Sequence, residues 1–209
     1  MHLSYNWSEK DNYFSLDKQK IIDKKNKKKF YSNLNLTPSQ LVVARYHDDL
    51  AKSIPREEIT KHIELIKLHV PTAVIAGSYR RGAEKSGDID ILVRESLDVV
   101  IQRLTNIGYI KGIISSGDRK FSGVVRLPKM KIHRHLDLIF TTPREYPFAL
   151  LYFTGSKKNN ILMRIRAKNK GLKLNQYGLW ENINLVPSIT TERDIFKALG
   201  MSYLKPEER

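Results

Sequence analysis

The sequence predicts an α+β protein, a mixed sheet with flanking helices followed by a small C-terminal lobe, and three observations lead there. Asp88-Ile89-Asp90-Ile91-Leu92-Val93 alternates acid and aliphatic before ending apolar, the pattern of a half-buried strand. Strand-like runs near residues 109–115, 120–127 and 131–140 are joined by Gly, Asp and Pro turns. Capping patterns with proline in the first turn, Thr37-Pro38-Ser39-Gln40 and Thr142-Pro143-Arg144-Glu145, open apolar-patterned helices on either side of that region.

Taken in order, residues 1–35 carry Lys18, Lys20, Lys24, Lys25, Lys27, Lys28 and Lys29 with only a weak apolar pattern. Such a basic arm suits a solvated tail, nonspecific phosphate contact or a nuclear-import signal. The helix begun at Thr37 has Leu41, Ala44 and Tyr46 as its apolar positions. Ile54-Pro55-Arg56-Glu57-Glu58-Ile59 opens a second helix with its acids in the first turn, and Ile59, Ile63 and Ile66 repeat at four and three. Residues 72–76 form a buried strand that leads into Gly77 and pairs with 88–93. Ser96 caps a helix with Leu97, Val100, Ile101 and Leu104 on one face, and Gly108 ends it. Three strands follow. The helix from Thr142 carries Phe148, Leu150, Leu151, Tyr152 and Phe153, and a basic helix from 159 to 170 ends at Gly171. Asn175-Gln176-Tyr177-Gly178 marks a hairpin, and Thr191 caps a last helix that stops at Gly200. The organisation is an arm (1–35), a sheet domain with its leading helices (36–141) and a C-terminal lobe (142–209).

A chain of 209 residues with 41% hydrophobic residues can bury its own core. Its 37 lysines and arginines against 22 acids give +15 and a pI near 9.9, which points to a polyanionic partner, nucleic acid rather than membrane. There is no run of 18 apolar residues and no apolar signal-peptide core, so the expectation is a soluble, monomeric, intracellular protein of nucleus or cytoplasm, or of a virion if viral. The absence of cysteine excludes disulfides, thiolate catalysis and cysteine zinc sites.

Asp88 and Asp90 fall on one face of their strand with Cα atoms about 6.7 Å apart, close enough to share an ion site. Upstream, Gly77-Ser78 and the forks of Arg80 and Arg81 offer backbone N–H groups, a hydroxyl and cations, the groups that hold phosphate oxygens. Metal carboxylates beside a phosphate cradle point to nucleotidyl or phosphoryl transfer. On the strand at 131–140, His133, His135 and Asp137 share a face, a spacing that also permits a His-x-His-x-Asp zinc site.

The stretch Gly77–Val93, GSYRRGAEKSGDIDILV, resembles the active-site motif of the family X DNA polymerases, the polymerase beta type of nucleotidyltransferase. Its looser core, Gly-Ser followed by Asp-x-Asp, also resembles poly(A) polymerases, CCA-adding enzymes and small-molecule nucleotidyltransferases. The double arginine and the Ser-Gly-Asp-Ile-Asp run are what resemble the polymerase branch. The resemblance runs from near Leu36 to the C-terminus. No glycine precedes Gly77, so the glycine-dependent helix-hairpin-helix turns of larger members, including their lyase domain, are not expected, and the likeness is to the minimal viral members.

This resemblance implies a nucleotidyltransferase palm and a thumb-type lobe. It implies that Asp137 joins Asp88 and Asp90 around two Mg²⁺ ions (or Mn²⁺) about 3.5–4 Å apart. It implies triphosphate contacts from Arg56, Gly77, Ser78, Arg81 and Gly87, although Arg56 by itself reads as a helix-surface charge. Tyr152-Phe153-Thr154-Gly155-Ser156 resembles the family's segment at the incoming sugar, which gives Tyr152, Phe153 and Gly155 nucleotide roles. Asn160 matches a contact to the incoming base and Arg164 a contact to the templating nucleotide. Arg164 with Lys168 and Arg166 with Lys170 stand four apart, where like charges repel unless a polyanion neutralises them, or else form a solvated basic face. His135 stands where many relatives carry an arginine supporting the third acid, and Lys157 where polymerase beta has an acid at the base contact, while Ile161 and Gln176 replace a polar and an acidic residue, which weakens the expectation of accurate base selection. The implied reaction is short gap-filling repair synthesis from dNTPs on gapped or nicked DNA, with a DNA ligase and repair nucleases as partners. The rival readings are a template-independent nucleotidyltransferase acting on RNA or a small acceptor, and a noncatalytic nucleic-acid-binding module.

Overall fold

The structure, a computed structural model, describes residues 35–209, so the lysine-rich arm lies outside the described residues. The chain divides into 1–37 and 38–209, and the second unit carries the fold described below. Its first helix, α1 (Pro38–Leu50), begins at the expected proline. A two-residue strand, β1 (Ile54–Pro55), leads into α2 (Arg56–His69), with Pro55 at the N-cap, Glu57 and Glu58 in the first turn, and Ile59, Ile63 and Ile66 buried.

Five strands make the mixed sheet: β2 (Val74–Ile75), β4 (Ile89–Val93), β5 (Ile110–Ser116), β6 (Lys120–Val125) and β7 (Arg134–Phe140). Their spatial order is β2-β4-β7-β6-β5, with β4 and β7 parallel and every other pair antiparallel. The β4–β7 register sets Ile89 against Leu136, Asp90 against Asp137 and Ile91 against Leu138. One face is therefore apolar, and Ile89, Ile91, Leu136 and Leu138 form a core with Ile59 and Ile66 of α2 and with Val100 and Leu104 of α4 (Leu97–Asn106). The opposite face carries the acids. A separate pair, β1 with β3 (Lys85–Ser86), ties the start of α2 to the chain just ahead of β4.

Several boundaries differ from the sequence expectation for local reasons. The strand expected over 72–76 is only Val74–Ile75, because the chain turns at Gly77 (φ 60°) into the single-turn helix α3 (Gly77–Arg80), although the Ala76 N–H still donates to the Asp90 carbonyl at 2.9 Å. Ser96 stands at the N-cap of α4 without making a side-chain capping bond. His133 lies outside β7: its N–H and Nδ1 meet Asp49 Oδ2 at 3.1 and 2.9 Å, and its ring packs on Tyr46. The Thr142–Glu145 box forms its reciprocal bonds, yet the helix starts at Tyr146, since Pro147 has no N–H to continue the pattern from Pro143.

The C-terminal lobe holds α5 (Tyr146–Thr154), α6 (Lys157–Asn169), a three-stranded sheet of β8 (Leu172–Asn175), β9 (Gly178–Glu181) and β10 (Asn184–Leu185), and α7 (Glu192–Ala198). Ser156 caps α6, and Thr191 with Asp194 forms a full capping box on α7. Helix α5 is apolar on both sides: Phe148 and Leu151 join the lobe's core, whereas Ala149 and Leu150 pack on Leu92 and Ile139 of the central sheet.

Beneath the sheet, Glu58 receives both forks of Arg134 at 2.7 Å, and His62 Nδ1 meets the Tyr109 hydroxyl at 2.5 Å. Burial pushes the His62 pKa from 6.5 down to about 4. Folded His62 thus resists a proton that unfolded His62 accepts, so stability is complete above pH 6.5 and is lost as pH falls toward 4, by up to about 3 kcal/mol. Denaturant titrations at pH 7.5, 6 and 5 are expected to show this decline in the wild type and a flatter profile in His62→Gln. Equal slopes would overturn the assignment. The carboxylates held low, Glu58 among them, release their share only below about 4.5, outside that range.

Candidate active site

The acid face of β4 and β7 meets the turn at Gly77–Ser78. Asp88, just before β4, and Asp137, on β7, come together: one ligand atom from each, with one from His135, lie within 4.8 Å of one another. Asp137 is 4% exposed. Its Oδ2 pairs with Lys120 Nζ at 2.8 Å, while its buried Oδ1 accepts no hydrogen bond, although His135 Nε2 stands 3.4 Å away. A buried carboxylate oxygen without a donor costs about 1–3 kcal/mol, and a cation relieves that cost. The donor set fits a divalent ion, and Asp88 and Asp137 are the carboxylates that meet around it, whereas Asp90, expected with them, is not part of that 4.8 Å group.

Asp90 stands in register with Asp137 and faces Gly77. A Cβ at position 77 would fall 2.2 Å from Asp90 Oδ2 and push that carboxylate aside, and the positive φ favours glycine there. His133, expected to share the face of His135 and Asp137, is engaged by Asp49 instead, and that removes it from any zinc set with them.

Around the turn, Ser78 Oγ donates to Ser86 Oγ at 2.7 Å, and Gly87 is exposed with open space beside it. Arg56 is not a plain surface charge. Its Nη1 donates to the Tyr79 and Ala83 carbonyls at 2.7 and 3.3 Å, and its guanidinium stacks 3.9 Å from the centroid of the Tyr79 ring, bracing the turn that follows Gly77. Arg80, expected among the phosphate-holding forks, makes a bidentate pair with Glu192 at 2.9 and 2.7 Å and donates to Thr154 Oγ1, which fixes the turn to the C-terminal lobe. Arg81 donates to the Thr154 carbonyl and lies against Gly155 (φ 71°). Residues 77–81 and 152–156 thereby form one site.

Tyr152 and Phe153 meet edge to face at 5.0 Å. Phe153 packs toward Leu92 and Ile139, whereas the Arg164 guanidinium lies 5.0 Å from the Tyr152 ring and Asn160 Nδ2 donates to the Tyr152 carbonyl at 2.7 Å. A cavity of about 110 Å³ lies between Lys120, Ile139 and Phe153 on one side and Gln176 and Tyr177, at the β8–β9 turn, on the other. On α6, Arg166 and Lys170 are engaged by the fold: they donate to the Leu199 and Ala198 carbonyls at the end of α7, which relieves their mutual repulsion without a polyanion. All four cations, Arg164, Arg166, Lys168 and Lys170, are exposed.

Sequence reasoning passed over Lys120, Ser122 and Glu192. Lys120 and Ser122 alternate on β6, and that period of two was the available signal, since the register sets Ser122 against Asp137. Glu192 gave none, because its partner Arg80 is 112 residues away.

The comparisons agree with this geometry. Residues 53–143 match the DNA polymerase beta palm family and residues 149–209 the DNA polymerase beta thumb family. The repair DNA polymerase X of African swine fever virus (Kenya isolate) is 35% identical over 151 residues, which are 70% of this chain and 86% of that protein. DNA polymerase lambda of Rattus norvegicus is 30% identical over 207 residues, covering 84% of this chain, and the chain spans only 36% of that relative's length. Among solved structures, Leishmania infantum polymerase beta in a ternary gap complex superposes with a TM-score of 0.80 at 27% identity, covering 88% of this chain and 79% of that one. Its ternary P/T complex gives 0.78 at 28%, covering 88% and 87%. With palm and thumb both matched and two acid-bearing strands meeting at a phosphate-type turn, the chain belongs to the family X DNA polymerases, the polymerase beta type of nucleotidyltransferase.

Proposed function

We propose that the protein fills short gaps in duplex DNA, joining a primer 3′-hydroxyl to the α-phosphate of a dNTP. The carrying observation is the meeting of Asp88 and Asp137, with the donor-less Asp137 Oδ1, beside the Gly77–Ser78 turn. The O3′–Pα bond forms as the bond to pyrophosphate breaks, and the hydroxyl proton passes to Asp137. Mg²⁺ bound by Asp88, Asp90 and Asp137 would activate the hydroxyl and neutralise phosphate charge. Ser78, Arg81 and Gly87 receive the triphosphate on a turn braced by Arg56. Tyr152, Phe153, Gly155 and Asn160 bound the incoming nucleotide. Arg164 and Lys168 meet the template strand's phosphates, and Arg166 and Lys170, exposed as well but hydrogen-bonded to the end of α7, add positive potential. The relatives named for repair and the gap complex of polymerase beta support this reading, and it calls for a DNA ligase and repair nucleases acting before and after.

Primer extension decides it. On a one-nucleotide gap, the dNTP matched to the template should be added in a divalent-ion-dependent reaction, whereas ATP on an untemplated RNA end should not. Robust untemplated addition with no gap filling would transfer the reading to a template-independent transferase.

A further inference from the structure

We propose that His135 is a nitrogen ligand of the metal centre, so that the ion nearest Asp137 is held by Asp88, His135 and Asp137 together. This rests on the polymerase reading for what the ion serves, but not for where it binds.

His135 alternates with Asp137 on β7, so both point away from the apolar core into which Leu136 projects. Its side chain is 16% exposed, and one of its nitrogens closes the 4.8 Å group with Asp88 and Asp137. Asp137 presents a single oxygen to that group: Lys120 occupies Oδ2, and Oδ1 is buried with no donor. Two ligands at right angles on one ion, each about 2.1 Å from it, stand about 3 Å apart. The 3.4 Å between His135 Nε2 and Asp137 Oδ1 therefore needs only a small adjustment.

Ser122 Oγ lies 2.7 Å from the same Nε2. Ser122, His135 and Asp137 do not form a nucleophile relay, because hydroxyl and carboxylate both approach one ring nitrogen, whereas a relay uses the two nitrogens separately. Ser122 steadies the imidazole over the cluster until an ion replaces that contact. An imidazole among carboxylates shifts preference from Mg²⁺ toward Mn²⁺ and Zn²⁺, which an all-oxygen set does not do.

Mn²⁺ alone is the probe, followed by electron paramagnetic resonance on the full chain. Wild-type protein should show imidazole nitrogen coupling to bound Mn²⁺, lost in His135→Gln and in His135→Ala. In His135→Gln, which keeps a polar donor of similar reach, the Mn²⁺/Mg²⁺ affinity ratio should fall about 10-fold while the thermal unfolding midpoint stays near that of the wild type. Absence of nitrogen coupling in the wild type, or its persistence in both variants, would overturn the proposal. Ion-dependent gap filling without nitrogen coupling would sink this inference and leave the polymerase reading standing. Coupling without gap filling would do the reverse.

Discussion

Asp137→Ala is expected to lower dNTP incorporation on a one-nucleotide gap by about a thousandfold or more, while salt-sensitive binding to gapped DNA stays within about twofold. Asp137 is the residue through which β7 enters the site, and its Oδ1 is the buried oxygen that no protein donor meets. Removing it leaves Asp88 and His135 without the third corner of their cluster. Binding should persist, because the proposed phosphate contacts come from exposed cations elsewhere, Arg164 and Lys168 among them. Asp137→Asn, of equal size, separates chemistry from folding, since it keeps an acceptor for Lys120 but loses the charge. Single-turnover incorporation and filter binding at two salt concentrations measure the two effects. Wild-type rates in both variants would discard the site.

The second large effect concerns stability. Arg134→Ala should destabilise the protein by about 3–5 kcal/mol and lower its midpoint by about 10 °C, with no change in any side chain that holds substrate. Arg134 is 3% exposed, and both its forks lie on Glu58. Burial raises the Glu58 pKa, but the bonds and charge of Arg134 outweigh it and hold the carboxyl below its usual range. Without the guanidinium only the weaker contact with His62 opposes burial, so Glu58 faces either a poorly paired charge or protonation. Glu58→Leu combined with Arg134→Met should recover much of the loss, because removing both charges leaves neither stranded. Calorimetry at pH 7 checks the series. A double variant as unstable as the single one would show that the pair's shape, rather than its charge, matters here.

The parts of the fold readable in advance were those written in local periodicity. Alternation located β4 and predicted that Asp88 and Asp90 share a face, and capping residues located the starts of α1 and α7. The parts that were not readable depend on partners distant in sequence. Nothing near Arg80 signals Glu192, so its guanidinium read as a phosphate fork when it is a joint between lobes. His133 looked like part of the strand at 131–140, but Asp49 takes its N–H and β7 begins only at Arg134. Arg166 and Lys170 looked like a free basic face, because the carbonyls that receive them belong to a helix whose packing no local pattern describes. Asp137 could be named from family likeness, but its setting could not: Lys120 and Ser122 reach it only through the β6–β7 register.

Helix α5 wedges between two apolar interiors, with Phe148 and Leu151 facing one and Ala149 and Leu150 the other. A rod greased on both flanks cannot roll without wetting one of them. Any tilting of the C-terminal lobe against the sheet is thus confined to the rod's tips, the turn ahead of Tyr146 and the glycine at 155. The second tip is also where Arg81 rests, so any such tilt would act on the very atoms set beside the Gly77–Arg81 turn.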